Sequence, residues 1–382
     1  MARYLEGLSR YRAGAFSCVE AAEFLGISER HFRRLRDVYE AEGAEGIIDK
    51  RRGRASARRA PVDQIEWVIE AYRTRYWDFT AKHFHEEISK AGFGLGYTWT
   101  KTVLQQRGFI KAAPKRSAHR KKRPRRPLPG MMLFQDGSTH AWLAGQPNLD
   151  LIATMDDATS EVYSLFLVDE EGTASTLRGL AETIAKTGLF SSFYTDRGSH
   201  YFWTPKAGEK VDRTRLTQVG RALAELGVEH IASYSPEARG RMERLWDTLQ
   251  KRLPPLLRLH KITTVEAANR YLAETYLPEH NARFAVAAAE DGSAFVPFVG
   301  DLANILCAKH ERVVGGDNCV RFEGLCLQIP EQRHRRHFVR VTVQVRQYPS
   351  GELAIFHGPR RLADYAADGT LIEKETDTKS AA

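Results

Sequence analysis

The order of apolar runs between residues 131 and 252 constrains the fold more than any other feature of this 382-residue chain. Patterns of strand type and helix type follow one another as strand, strand, strand, helix, strand, helix, strand, helix. They lie at 131–135, 149–155, 162–168, 173–187, 190–195, 215–226, 228–232 and 240–252. Strands that alternate with helices in this way form a sheet covered by helices. The sequence therefore predicts a central α/β domain.

This order is that of a ribonuclease-H-like core, which we expect to occupy residues 130–290. In such a core the fourth strand pairs beside the first, so residues at the ends of these two strands come together. Asp136 closes the first predicted strand, and Asp196 closes the fourth. Glu243 lies in the first turn of the last helix, at the border of an apolar stripe formed by Met242, Trp246, Leu249 and Leu253. We therefore expect these three acids to converge.

Three converging carboxylates indicate a metal site for phosphodiester chemistry. Two Mg²⁺ ions about 3.5–4 Å apart can activate an attacking oxygen and stabilise a leaving oxygen, and Mg²⁺ prefers hard oxygen ligands. We predict two Mg²⁺ ions, replaceable by Mn²⁺. Glu237, in the preceding loop, is the alternative third ligand, whereas Asp156 and Asp157 are expected in a hairpin turn away from the site. A serine hydrolase site is not favoured, because no G-x-S-x-G pattern surrounds Ser138 or Ser199.

Residues 1–49 are predicted to form a helix-turn-helix domain. Gly26 suits the end of one helix and Ser28 the N-cap of the next, which displays the basic residues Arg30, Arg33, Arg34 and Arg36. Residues 61–110 predict a second, similar module, with Lys101 and Arg107 on its last helix; simple helix packing is the alternative there. His83 and His85 are predicted as helix surface or core rather than zinc ligands, because no cysteine lies between Cys18 and Cys307.

Basic linkers flank the second module. The chain has 57 Lys+Arg against 48 Asp+Glu, a formal charge of +9, and two acid-free stretches at 50–60 and 111–129 concentrate this excess. Such stretches are typical of nucleic-acid contacts, and solvated linkers are the alternative. We expect phosphate contacts from Arg51, Arg52, Arg54, Lys121, Lys122 and Arg123. Further candidates for phosphate contacts lie beside the acids: Arg197, His200, Arg239 and Arg241. His140 could orient a ligand or a water, and a simple structural use is the alternative for each of these residues.

The C-terminal part alternates in strand fashion between 310 and 365. We expect a small β-barrel over 291–368 and a disordered tail over 369–382. The N-terminus lacks the apolar stretch of a signal peptide, and no apolar run is long enough to span a bilayer. Four unevenly placed cysteines favour a reducing compartment. These features together predict a multidomain cytoplasmic protein.

The segments around the three acids, Asp136–Leu143, Tyr194–Tyr201 and Tyr234–Trp246, resemble the integrase catalytic core of insertion-sequence transposases, most closely the ISNCY group. The resemblance extends from the helix-turn-helix to about residue 300. It implies a DDE triad of Asp136, Asp196 and Glu243, although Asp196 and Glu243 lie further apart than in the shortest members, an excess that the polar insertion 203–214 accounts for.

The resemblance also implies partners and an activity. We expect cleavage and strand transfer on double-stranded DNA, with terminal inverted repeats and target DNA as partners. We also expect a homo-oligomer on DNA, no membrane association, and a nucleoid-associated location in a bacterium. A non-catalytic DNA-binding regulator derived from a transposase is the alternative, and a nuclease that only cuts is a third possibility.

Overall fold

The computed structural model describes residues 2–49, 60–112, 123–205, 210–212, 214–234 and 240–373. They fall into two compact units, residues 1–70 and 71–382. Six residues predicted to contact DNA lie outside the described residues: Arg51, Arg52, Arg54, Lys121, Lys122 and Arg239.

The first unit contains the predicted helix-turn-helix. Its helices are α1 (Ala2–Arg12), α2 (Cys18–Leu25) and α3 (Glu29–Glu42). Gly26 ends α2 with φ 70°, in the left-handed region that glycine adopts without strain. The side chain of Ser28 accepts from the backbone N–H of His31 at 3.3 Å and caps α3. Both predicted helix boundaries are confirmed.

A helical module follows, with α4 (Val62–Thr74), α5 (Ala81–Lys90) and α6 (Tyr97–Gln106). In the second unit, Tyr72 packs edge-on against the buried ring of Phe84. The N-cap of α6 is Gly96, so the predicted cap at Thr98 or Thr100 is wrong. Both threonines lie inside the helix: the hydroxyl of Thr100 donates to the carbonyl of Gly96, and the carbonyl of Thr98 accepts from the hydroxyl of Thr102.

The central sheet consists of β1 (Leu133–His140), β2 (Leu149–Asp156), β3 (Val162–Val168), β4 (Ser192–Thr195) and β5 (Glu229–Ala232). The strand order is β3-β2-β1-β4-β5. The β1–β2 and β2–β3 pairs are antiparallel, and the β1–β4 and β4–β5 pairs are parallel. This is the predicted ribonuclease-H-like topology. One detail differs: Asp136 does not close β1 but lies within it, opposite Ala153.

Helices cover this sheet as predicted. They are α7 (Thr173–Thr187), α8 (Gln218–Leu226), α9 (Gly240–Leu259), α10 (Val265–Tyr271) and α11 (Leu277–Phe284), with a π-helical stretch at Leu272–Tyr276. The sequence predicts an end for α9 near 252, ahead of Pro254 and Pro255, but the helix continues to 259. Burial of Leu253, Leu256 and Leu257 favours its continuation.

The C-terminal strands form two open sheets. They are β6 (Ala308–Val313), β7 (Cys319–Phe322), β8 (Leu325–Gln328), β9 (Thr342–Gln347), β10 (Leu353–His357), β11 (Arg360–Tyr365) and β12 (Leu371–Ile372). One sheet has the order β12-β11-β10-β9-β6, and β7-β8 is a separate hairpin over the same apolar core.

The described strands therefore do not form the predicted β-barrel. The predicted start of the disordered tail at residue 369 is also wrong, because β12 lies within the tail and pairs with β11. None of the helices in the described part of the chain has the length and apolarity that a bilayer crossing requires.

Candidate active site

The sheet register, extended by two residues, brings Asp136 level with Asp196. The parallel pairing of β1 and β4 joins Leu133 to Phe193 and Phe134 to Tyr194, so continuing it by two residues pairs Asp136 with Asp196. The rings of Phe134 and Tyr194 meet edge-on at 5.3 Å and therefore share one face of the sheet. Because side chains alternate along a strand, the residues two positions later return to that face. Neighbouring strands lie about 4.8 Å apart, so the two aspartates start from adjacent backbone positions.

Helix α9 packs on this same face. The indole Nε1 of Trp246 donates to Oδ2 of Asp136 at 2.9 Å, and Nε2 of Gln250 donates to Oγ of Ser138 at 3.0 Å. Glu243 lies three residues before Trp246 and seven before Gln250, so the three share one helix face. Glu243 is exposed, whereas Asp136 is only 9% exposed. The helix thus carries Glu243 along the face that contacts Asp136.

The three acids suit Mg²⁺ by donor type, since all offer hard carboxylate oxygens. Among the described residues, the ligand atoms of these three acids do not all lie within 4.8 Å of one another. A two-ion site does not require that spacing, because ligands of different ions are separated by the distance between the ions. Asp196 is held from within its own loop, where the N–H of Gly198 donates to Oδ1 at 2.8 Å.

A fourth acid, Glu171, packs against β1 beside Asp136 and was not predicted from the sequence. A β-carbon at Gly137 would overlap Oε2 of Glu171, so the carboxylate packs directly against the residue after Asp136. The hydroxyl of Tyr201 donates to Oε1 of Glu171 at 3.2 Å, and Nε2 of His200 lies 3.6 Å from the same oxygen. The available signal was the acidic run directly after the third strand, at the edge of the sheet that carries the site.

Tyr201 joins the surroundings of both aspartates. Burial raises its pKa well above 10, and the negative charges of Glu171, Asp136 and Asp196 add to the effect. Its hydroxyl therefore stays protonated and acts as a donor. Nε2 of the neighbouring His200 is buried without a hydrogen-bond partner in the described structure. Because Tyr201 and His200 follow Asp196 in the same loop, their contacts with Glu171 tie that loop to β1.

Two of the predicted basic residues face an acid rather than the site. Arg123 and Arg241 both form ion pairs with Asp157, which is fully buried. Burial lowers the pKa of Arg241, opposed by the charge of Asp157. Asp156 accepts from the N–H groups of Gly130 and Thr159. Asp156 and Asp157 thus have structural roles at the hairpin turn, where the sequence predicts them.

The other predicted contacts lie on different surfaces. Arg197 is exposed and stacks over the ring of Tyr234 at 5.0 Å, and His140 packs on Trp142. On α3 the exposed basic residues are Arg30, Arg33 and Arg34, whereas Arg36 donates to Asp37 and Tyr11. Arg107 is exposed at the end of α6, and Lys101 is partly buried.

His83 lies in the core, one of the two positions predicted for it, the other being the helix surface. Its ring is fully buried and stacks on Phe79 at 4.3 Å. Burial, reinforced by the charge of Arg252, lowers the pKa of His83 to about 3. The ring of His85 is only partly buried, and its Nδ1 lies 3.3 Å from the hydroxyl of Thr100.

Fold and site together define an α/β protein with a ribonuclease-H-like sheet, acids on one face of that sheet, and an N-terminal helix-turn-helix. The family model described as a winged helix-turn-helix matches residues 2–65. The protein y4bF of Sinorhizobium fredii, named as a transposase, is 31% identical over 92% of this chain and 77% of its own length. The transposase for insertion sequence IS1202 of Streptococcus pneumoniae is 26% identical, over 85% of this chain and 76% of its own.

The chain therefore belongs to the insertion-sequence transposases. Two solved structures are also similar in part. The HTLV-2 integrase catalytic core domain in complex with magnesium is 15% identical over 43% of this chain and 93% of that one, with a TM-score of 0.32. The simian T-cell lymphotropic virus intasome is 16% identical over 68% of this chain and 85% of that one, with a TM-score of 0.33.

Proposed function

We propose that this transposase cleaves DNA at the ends of its element and joins those ends to target DNA, with Asp136, Asp196 and Glu243 as the catalytic DDE triad. The observation that carries the proposal is the shared sheet face. The β1–β4 register, if continued by two residues, pairs the two aspartates, and Trp246, on the helix that bears Glu243, donates to Asp136. Such a face can hold a scissile phosphate against a metal pair.

The three carboxylates would hold two Mg²⁺ ions, replaceable by Mn²⁺, which would supply charge neutralisation at the phosphate. The protein's own groups orient those ligands. The Trp246 N–H fixes the rotamer of Asp136, and the Gly198 N–H fixes Asp196. The buried hydroxyl of Tyr201, held by Glu171, keeps the loop that follows Asp196 against β1. Arg197, which is exposed beside Asp196, would contact a DNA phosphate.

The helix-turn-helix supports terminal inverted repeats as the bound DNA, with α3 as the recognition helix. Its exposed Arg30, Arg33 and Arg34 can reach phosphates or base edges. Phosphate contacts from the basic linkers would add affinity without sequence preference. We further propose assembly as a homo-oligomer on DNA, membership of the ISNCY group, and a nucleoid-associated location in the bacterial cytoplasm.

The test is strand cleavage and joining by the full chain on DNA that carries the element ends, with Mg²⁺. Asp136→Asn should lose at least about 100-fold in rate, because removing the charge of one ligand weakens both metal binding and charge stabilisation. It should still bind the DNA. The matched control is Asp169→Asn, an exposed acid outside the site, which should keep its rate.

The other outcomes are distinct. An unchanged rate in Asp136→Asn overturns the triad. DNA binding by the wild-type chain without any cleavage indicates a regulator, and cleavage without joining indicates a nuclease.

A further inference from the structure

The hairpin β7–β8 in the C-terminal part presents two cysteines on its outer face. Glu323 and Gly324, with φ of 48° and 81°, form its two-residue turn. Val320, Phe322 and Leu327 point into the apolar core. Because strand side chains alternate, Cys319 and Cys326 lie on the opposite face. Cys319 is nevertheless 6% exposed, whereas Cys326 is exposed.

An aspartate completes a group of three potential ligands there. The Sγ atoms of Cys319 and Cys326 and a carboxylate oxygen of Asp317 all lie within 4.8 Å of one another. Oδ1 of Asp317 accepts from the backbone N–H of Cys319 at 3.1 Å, which holds the carboxylate beside the thiols. The Cys319 thiol also donates to Oε1 of Gln328 at 2.9 Å. Three other side chains of this hairpin region, those of Asp317, Cys326 and Gln328, thus converge on the sulfur of Cys319.

The register argues against a disulfide as the purpose of this pair. Cys319 is opposite Gln328, and Cys326 is opposite Arg321, so the two cysteines are diagonal neighbours. Diagonal Cα atoms of antiparallel strands are about 7–8 Å apart, which exceeds the roughly 4.4–6.8 Å that a disulfide spans. A bridging metal ion reaches further, because each of its bonds to sulfur is about 2.3 Å long.

We propose that Asp317, Cys319 and Cys326 bind a divalent metal ion of the zinc class, with the amide oxygen of Gln328 as the fourth ligand. Two thiolates and two oxygens form a tetrahedral set that selects Zn²⁺ over Mg²⁺, which requires an octahedron of oxygens. The ion is structural, since every position is filled by protein. It joins the strands β7 and β8 and the segment that enters them.

Two features set the conditions for binding. Burial, followed by the hydrogen bond with Cys326, raises the pKa of Cys319 to about 11. A cysteine binds a metal as the thiolate, so metal binding must release the thiol proton and affinity rises with pH. Binding also competes with Arg321, which pairs with Oδ2 of Asp317 at 2.8 Å. Both side chains of that pair are largely exposed, so breaking it costs little.

The experiment is titration of the full chain with Co²⁺, a probe for tetrahedral zinc sites, in a phosphine reductant that keeps the thiols reduced. We expect one equivalent of Co²⁺ with thiolate-to-cobalt charge transfer and intense visible bands, displaced by Zn²⁺. Cys326→Ser should lose the charge-transfer band, and Gln328→Leu should weaken binding by at least about 10-fold. Cys18→Ser, a partly exposed cysteine in the first unit, is the matched control and should keep the spectrum.

The site also predicts a stability effect, because a ligand that binds the native state stabilises it. Zn²⁺ should raise the melting temperature of the wild type and of Cys18→Ser but not that of Cys326→Ser. Absence of the charge-transfer band in the wild type, its persistence in Cys326→Ser, or a Cys319–Cys326 disulfide under these reducing conditions overturns the proposal.

Discussion

Glu171 shows how much of a site depends on contacts between side chains. It lies against Gly137 and accepts from Tyr201, whose loop also carries Asp196. No strand or helix pattern marks such a residue, because its importance comes from what the folded chain brings next to it. Its carboxylate packs against the residue after Asp136 without belonging to the proposed triad. We expect it to act as a positioning residue, through the loop rather than on the phosphate.

The corresponding prediction concerns Glu171→Gln. The amide still accepts from Tyr201 but loses the charge that faces His200. Groups that orient metal ligands typically contribute about 10–100-fold to metal affinity or activity, so the Mg²⁺ concentration for half-maximal cleavage should rise by about that factor. Glu170→Gln, the exposed neighbour, is the control. Equal metal requirements in the two variants would contradict the role.

At the scale of elements, α5 is tied to the helix that bears Glu243. Nη2 of Arg252, on α9, donates to Oε2 of Glu86 at 2.5 Å, and Arg283, on α11, pairs with the other oxygen. Nearby, Arg258 holds Asp78 through two hydrogen bonds of 2.6 and 2.7 Å. A single buried carboxylate therefore joins three helices, and α9 can shift only if this group of charges rearranges.

Removing that carboxylate should destabilise the second unit. Glu86 is 9% exposed, so Glu86→Gln leaves two guanidinium groups without their counter-charge. Breaking a buried pair in this way costs about 3–5 kcal/mol, measurable by urea unfolding. Glu279→Gln, which removes an exposed partner of Lys90, should cost less than about 1 kcal/mol. If the two variants lost the same free energy of unfolding, the charges on Glu86 would not matter and α5 would be held by packing alone.

Element prediction from the sequence succeeded where local patterns decide the structure. The bounds of β3 and α7 agree with the prediction, and Asp196 directly follows its strand. The prediction of elements failed where tertiary contacts decide the structure. Apolar burial carries α9 through Pro254 and Pro255, β1 continues past Asp136 because β2 pairs with it, and the C-terminal strands leave their sheets open. Alternation of apolar residues does not distinguish an open sheet from a barrel.

For the whole molecule, two buried histidines make stability depend on pH. Burial lowers the pKa of His83 to about 3 and that of His280 to about 4, whereas an unfolded histidine titrates near 6.5. Their neutral forms favour the native state fully above pH 6.5. As the pH falls, the unfolded chain binds protons that the native chain cannot, so stability is lost from about 6.5 toward 3–4.

We therefore expect the free energy of unfolding to fall by about 1.4 kcal/mol per pH unit for each histidine below pH 6. His83→Phe keeps a ring on Phe79 and removes one of the two contributions, so its acid-side slope should be about 1.4 kcal/mol per pH unit smaller. His260→Phe changes an exposed ring and should keep the wild-type slope. Urea unfolding between pH 7 and 5 measures all three, and equal slopes would contradict the assignment.

The hydrogen bond between Trp246 and Asp136 makes the fluorescence of Trp246 a reporter of metal binding at the candidate active site. Indole emission responds to charge at the ring nitrogen, and this nitrogen bonds directly to a carboxylate proposed to bind the metal. An ion that takes up the negative charge of Asp136 must change the emission of Trp246. The chain has six tryptophans, so the difference between wild type and Trp246→Phe isolates the signal. Metal binding at Asp136 can then be measured by fluorescence in solution, without DNA and without turnover.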